Sequence, residues 1–229
     1  MHQFSFFTFA LILLSCNSNS NSPEDTPAKT VKITEALIQN YSVKLIDGEA
    51  VKDSLELQFG NEYDENGREL SSITYSLNGE VDWKEVYEYD DKGIKTGSKF
   101  YVKGDSLTTY YRYESDYLGR TTRYAGYDVQ TDTFIYDVIY QYLEGGIKRS
   151  GYINKEGMFI YNYEYKYNDK GEEIAYIYIN NRQQKSYPTT YRFTAYDEEG
   201  RWKERQQIAE DGRVKIIQTQ TFREKDQEE

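Results

Sequence analysis

Glycines stand at positions 67, 93, 119, 145 and 171, an unbroken spacing of 26, and one more follows at 200. A fixed period of that size means tandem copies of one supersecondary unit, each too small to bury a core alone and so obliged to stack on its neighbours. Between these glycines lies a second set of turn signals: Asn78-Gly79, Gly104-Asp105, Thr131-Asp132, Glu156-Gly157, Asn180-Asn181 and Asp211-Gly212. Each copy is therefore two turns and two segments of about nine residues.

Those segments alternate. Tyr63 and Phe59, Tyr87 and Tyr89, Tyr111 and Tyr113, and Tyr163, Tyr165 and Tyr167 occupy every second position before the turn glycine. In the fourth copy Val138, Tyr140 and Tyr142 do the same if Gly146 serves as the turn residue. Between the aromatics lie Glu62, Glu88, Arg112, Gln141, Glu164 and Lys166. A period of two with aromatic and polar residues on opposite sides marks a strand with one buried face. The turns "DENG", "DDKG" and "NDKG" place Asp or Asn first and Gly fourth, which suits a type I turn closed by a left-handed residue.

Short turns join antiparallel neighbours, so six copies predict an all-β fold: tandem β-hairpins in a long meander of about twelve strands. Flat, it would be nearly 60 Å wide, and sheets of more than about ten strands curl or split. With an aromatic face to cover and no helical stripe to cover it, the sheet is expected to curl toward a barrel or half-pipe with tyrosines inside.

Residues 59–222 form the repeat region, and 31–58 lack the period. The latter are expected to make an N-terminal cap, a strand pair with a short helix over Thr34 to Gln39. The last residues, 223–229, are polar and read as a disordered tail.

Residues 1–15 read as a lipoprotein signal peptide. Phe4 to Leu14 is an apolar run broken only by Ser5 and Thr8, too short to span a bilayer and of the length of a signal-peptide core. Ser15-Cys16 resembles a lipobox, which implies acylation of Cys16 and anchoring by several acyl chains. Residues 16–30, "CNSNSNSPEDTPAKT", are too polar to fold and serve as a flexible tether. The expected place is the outer membrane, held by lipid; the sequence does not choose between its periplasmic face and the cell surface.

The units "YDENGR" and "YDEEGR", with the more divergent "YDDKGI" and "YLGR", resemble the YD repeat of the Rhs family, a Tyr-Asp-x-x-Gly-Arg unit. The resemblance spans Phe59 to about Gln218. It implies a β-sheet shell; the toxin-enclosing role of that family does not carry over, because six copies are too few to enclose a large cavity. Lipoproteins with degenerate YD-like repeats also occur in Bacteroidota, in keeping with the leader.

Composition narrows the chemistry. The sole histidine is His2 and the sole cysteine Cys16, which leaves the repeat region without an imidazole or thiol for nucleophilic catalysis or zinc. No cofactor or metal is expected. The 28 basic and 39 acidic residues give a formal charge of -11, which disfavours nucleic acid, whose affinity comes mainly from Lys and Arg.

Tyrosine is the unusual feature, with 25 copies. A flat ring with a polar end suits stacking on sugars, and the expected stacking residues are Trp83, Tyr87, Tyr89, Tyr111, Tyr113, Tyr163 and Tyr165. Cross-strand packing explains the same residues without a ligand. Trp83 and Trp202 either line a groove mouth or plug an end. The sequence thus points to a binding or scaffolding module for glycan or an envelope protein. A carboxylate-dependent glycan enzyme and an immunity protein against a toxin stand as alternatives.

Overall fold

A computed structural model describes residues 30–228 apart from Gly104, so the signal peptide, Cys16 and most of the tether lie outside the described residues. Fourteen strands run in chain order: β1 (Thr30–Ile46), β2 (Glu49–Tyr63), β3 (Glu69–Tyr75), β4 (Val81–Tyr89), β5 (Lys95–Val102), β6 (Ser106–Ser115), β7 (Thr121–Asp128), β8 (Phe134–Leu143), β9 (Ile147–Asn154), β10 (Phe159–Tyr167), β11 (Glu173–Asn180), β12 (Thr189–Tyr196), β13 (Trp202–Ile208) and β14 (Val214–Glu228). Every strand pairs antiparallel with its sequence neighbours, and β1 pairs with β14 to close the barrel. At a spacing of about 4.8 Å and a tilt of about 40°, fourteen strands enclose a wall roughly 28 Å across.

The repeated turn is a small self-contained device. Asp64 Oδ1 accepts from the amides of Asn66 and Arg68, both at 2.9 Å, and Gly67 takes the positive φ of 77° that closes the turn. The Arg68 Nε then donates to Asp64 Oδ2 at 3.0 Å. Arg120 on Asp116 and Arg201 on Asp197 repeat the clamp, at 2.8 and 2.7 Å. Each guanidinium also lies over an aromatic ring of the next copy: Arg68 over Tyr89 at 4.9 Å, Arg120 over Tyr142 at 4.4 Å, Arg201 over Phe222 at 3.7 Å. The hydroxyls of Tyr89 and Tyr142 donate back to the carbonyls of Glu69 and Thr121. The Tyr and Arg of the repeat thus bind consecutive copies to one another along one rim. That rim also carries Thr30 and Glu228, where the described chain begins and ends.

Two expectations need correction. Thr34 to Gln39 is not helical: it is the middle of β1, bonded to β2 on one side and β14 on the other. Residues 31–58 are therefore a strand pair, but one that closes the wall instead of capping it. The segment 223–229 is not a disordered tail: through Glu228 it continues β14 opposite β1. Backbone pairing to both neighbours satisfies groups that neither helix propensity nor polarity anticipates.

The register sorts side chains cleanly onto two faces. Tyr87, Tyr111, Tyr113, Tyr124, Tyr136, Tyr140, Tyr163 and Tyr165 share one, and a cavity walled together by side chains of β3 to β9 shows it to be the inner. Tyr136 donates to Tyr111 across β7 at 3.0 Å, and Gln207 Nε2 donates to Tyr176 across β12 at 3.2 Å. The other face carries charges at mid-strand, paired as Arg123 with Asp137 at 2.9 Å, Arg149 with Glu164 at 2.6 Å and Lys84 with Glu62 at 3.0 Å. Where β14 and β2 approach across β1, this outer face closes over a polar cluster. There Lys225 reaches Glu35 at 3.1 Å and Glu62 at 3.2 Å.

A membrane-spanning barrel needs an apolar outer band about 25 Å tall, and one Arg or Lys on its midplane costs about 2–4 kcal/mol. This wall instead carries paired charges at mid-strand on its outer face, beside exposed apolar residues such as Ile139.

Candidate functional site

The seven sequence-predicted stacking residues all face the lumen. Trp83 lies toward the rim opposite the Asp turns, tilted against Phe100 at 5.3 Å. Tyr111 is buried, 9 % exposed, and meets Tyr124 edge-on at 5.6 Å. Tyr163 stacks on Tyr165 at 5.8 Å. Tyr89 is taken up by its bond to the Glu69 carbonyl and by Arg68, so it belongs to the wall. Trp202 lies at the Asp-turn rim, edge-on to Phe193 at 6.4 Å.

The structure adds a ring of residues that sequence reasoning missed. Opposite Tyr63, Tyr89, Ser115, Tyr142, Tyr167 and Tyr196 stand Glu69, Lys95, Thr121, Lys148, Glu173 and Trp202. All six occupy one repeat position, the second residue after the turn glycine, counting Gly146 in the fourth copy. The period that revealed the glycines would have revealed them, had it been applied to polar residues on the tyrosine face.

Within this ring Lys95 bonds Glu69 at 3.3 Å and lies 3.3 Å from the centre of the Tyr87 ring. Lys148 sits 4.0 Å over Tyr140. Burial holds its ammonium below the ordinary lysine range, against the opposing pull of the Glu173 carboxylate and with the Lys95 charge adding to the effect. Burial also pushes the Glu173 carboxyl up. Arg205 stacks over Tyr191 at 4.0 Å and Trp202 at 4.6 Å, and its Nε donates to Gln218 at 2.5 Å. Burial lowers its pKa. Among the described residues no ion pair ties Lys148, Glu173 or Arg205 to a partner. Glu85 is held from one side only: Ser98 at 2.5 Å and Tyr113 at 2.9 Å both donate to its Oε1.

Glu69, Glu85, Lys95 and Lys148, but not Glu173 or Arg205, converge with Tyr87 and Tyr140 on a lumen cavity of about 310 Å³. A larger hollow of about 690 Å³ lies outside the wall, under the β1–β2 hairpin, lined by Val43, Leu45, Arg192 and Arg213 among others. Its wall holds Glu49, Arg192, Gln206 and Arg213 but no aromatic residue on which a sugar ring could stack.

The sequence matches no protein-family model and no curated protein. Among solved structures, a porin-like protein from Bacteroides uniformis ATCC 8492 aligns with 86% of this chain and 98% of its own, at 11% identity and a TM-score of 0.42. A DUF1329 family protein from Desulfovibrio piger ATCC 29098 aligns with 87% of this chain and 86% of its own, at 11% identity and a TM-score of 0.33. Neither supplies a function for this chain.

Proposed function

We propose that this protein is an envelope lipoprotein, held at the outer membrane through acylated Cys16, whose barrel stands in water and binds glycan inside its tyrosine-lined lumen. The observation that carries the reading is the inner wall itself. Aromatic faces suited to sugar rings alternate there with Lys148, Glu173 and Arg205, half-buried charges that feel one another but form no direct ion pair among the described residues. Partly desolvated charge without a direct partner is costly, and a bound polar ligand offsets that cost.

The closed wall favours a small ligand over the protein-sized concave face expected of an immunity protein. The enzyme alternative needs two free carboxyl groups flanking one bond. In the cavity Glu69 is engaged by Lys95, and Glu85 by Ser98 and Tyr113, which favours binding over hydrolysis.

Two measurements test the proposal. Radiolabelled palmitate should enter the protein and be lost in Cys16→Ser. Envelope and plant-type oligosaccharides added to the purified full chain should shift its tyrosine fluorescence, and a spectrum indifferent to all of them would remove the lumen reading.

A further inference from the structure

The lumen cavity has chemistry specific enough to name a ligand class, an inference that rests on the glycan reading above. Three features of its wall remain unused by the protein. The Lys148 ammonium lies over aromatic faces, Tyr140 at 4.0 Å and Tyr142 at 6.0 Å, and among the described residues it makes no hydrogen bond or ion pair, the Glu173 carboxylate acting on it only from further off. Glu85 Oε2 receives no donor among the described residues, since Ser98 and Tyr113 both bond Oε1. The rings of Tyr87 and Tyr140, from β4 and β8, both line the cavity.

Each feature asks for a different part of one molecule. A half-buried ammonium without a direct partner is satisfied by an anionic oxygen, in a charge-assisted hydrogen bond about twice as strong as a neutral one. An open carboxylate oxygen accepts from a hydroxyl. Aromatic faces take the apolar C–H face of a pyranose. A neutral sugar would leave Lys148 unanswered, and a fatty acid would leave Glu85 facing hydrocarbon, which costs the desolvation of a charge.

We infer that the cavity binds an acidic sugar of the uronic-acid type, its carboxylate on Lys148, a ring hydroxyl on Glu85 Oε2, and its ring against Tyr87 and Tyr140. Lys95 is already engaged by Glu69, so Lys148 sets the preference for the acid.

The test is isothermal titration of the purified full chain in detergent with three probes: a galacturonic acid trisaccharide, the matching neutral galactose trisaccharide, and inorganic phosphate. The acidic trisaccharide should bind at least about tenfold more tightly than the neutral one. Lys148→Met should abolish that margin while neutral binding persists, and Lys148→Arg should keep it; the persisting neutral binding shows that Lys148→Met is folded. Equal binding of the two sugars would overturn the acid preference and leave the glycan reading standing. Phosphate that displaces the acidic sugar at matching concentration would overturn the inference in favour of a plain anion site. No binding of either sugar would overturn this inference, and other oligosaccharides would then decide the glycan reading.

Discussion

At the scale of single residues, the repeat unit is explained by what its side chains hold. Asp64 accepts two backbone amides and a guanidinium, and these bonds keep its carboxyl below the ordinary aspartate range despite the cost of burial. The turn was legible in the sequence because Asp, Gly and the spacing between them act within five residues. The stacking of Arg68 on Tyr89 was not, because it joins residues of different copies, and neither was the polar ring that ends at Trp202. Asp64→Ala removes the turn cap and the clamp together, at an expected loss of about 1–2 kcal/mol by urea denaturation. Asp116→Ala removes the equivalent groups at a wetter site, its carboxylate 17% exposed against 8% for Asp64. Its midpoint should therefore fall less than that of Asp64→Ala. Equal shifts would mean that burial of the cap adds nothing.

At the scale of elements, alternation predicted the strands, and the count rose from twelve to fourteen because twelve turns join thirteen strands, β2 to β14, and closure adds β1 from outside the repeat. The segment "TEALIQ" has good helix formers, and "REKDQEE" has little to bury. Local composition therefore read as helix and tail. What overrides it is the open edge that a meander must leave at each end: β1 and β14 satisfy each other's backbone over Thr30 to Tyr41. Their side chains then add the Lys225 bridge to Glu35 and Glu62. Stopping the chain after Phe222 strips the partner from β1 over Thr30 to Glu35, leaves Glu35 without its ammonium and leaves Glu62 with Lys84 alone. An exposed strand edge invites pairing with another chain. The truncated protein should melt lower and elute as a concentration-dependent oligomer in size-exclusion chromatography; a monomer of unchanged melting temperature would show that closure does not depend on this segment.

At the scale of the whole molecule, the barrel places most of its tyrosines where they cannot ionise without taking charge into the lumen. The sequence foretold an inward aromatic face; it did not foretell that the same face would carry Glu85, Lys148, Glu173 and Arg205, because those positions lie in different copies and meet only when the wall closes. Burial pushes Tyr140 and Tyr191 up to about 12, and it pushes Tyr113 and Tyr124 further still. In the unfolded chain a tyrosine ionises near pH 10. A group whose folded pKa is raised holds the proton more tightly in the native state, so its stabilising contribution is complete below about pH 10 and declines as pH rises through 12. The lumen tyrosines should therefore titrate in a steep late phase, read by phenolate absorbance, that coincides with loss of the β-sheet circular dichroism signal. If all 25 tyrosines ionised together, reversibly and before any loss of sheet signal, the lumen would be open to bulk water along its whole length. An acidic sugar seated on Lys148 would then gain little from the shelter of the wall.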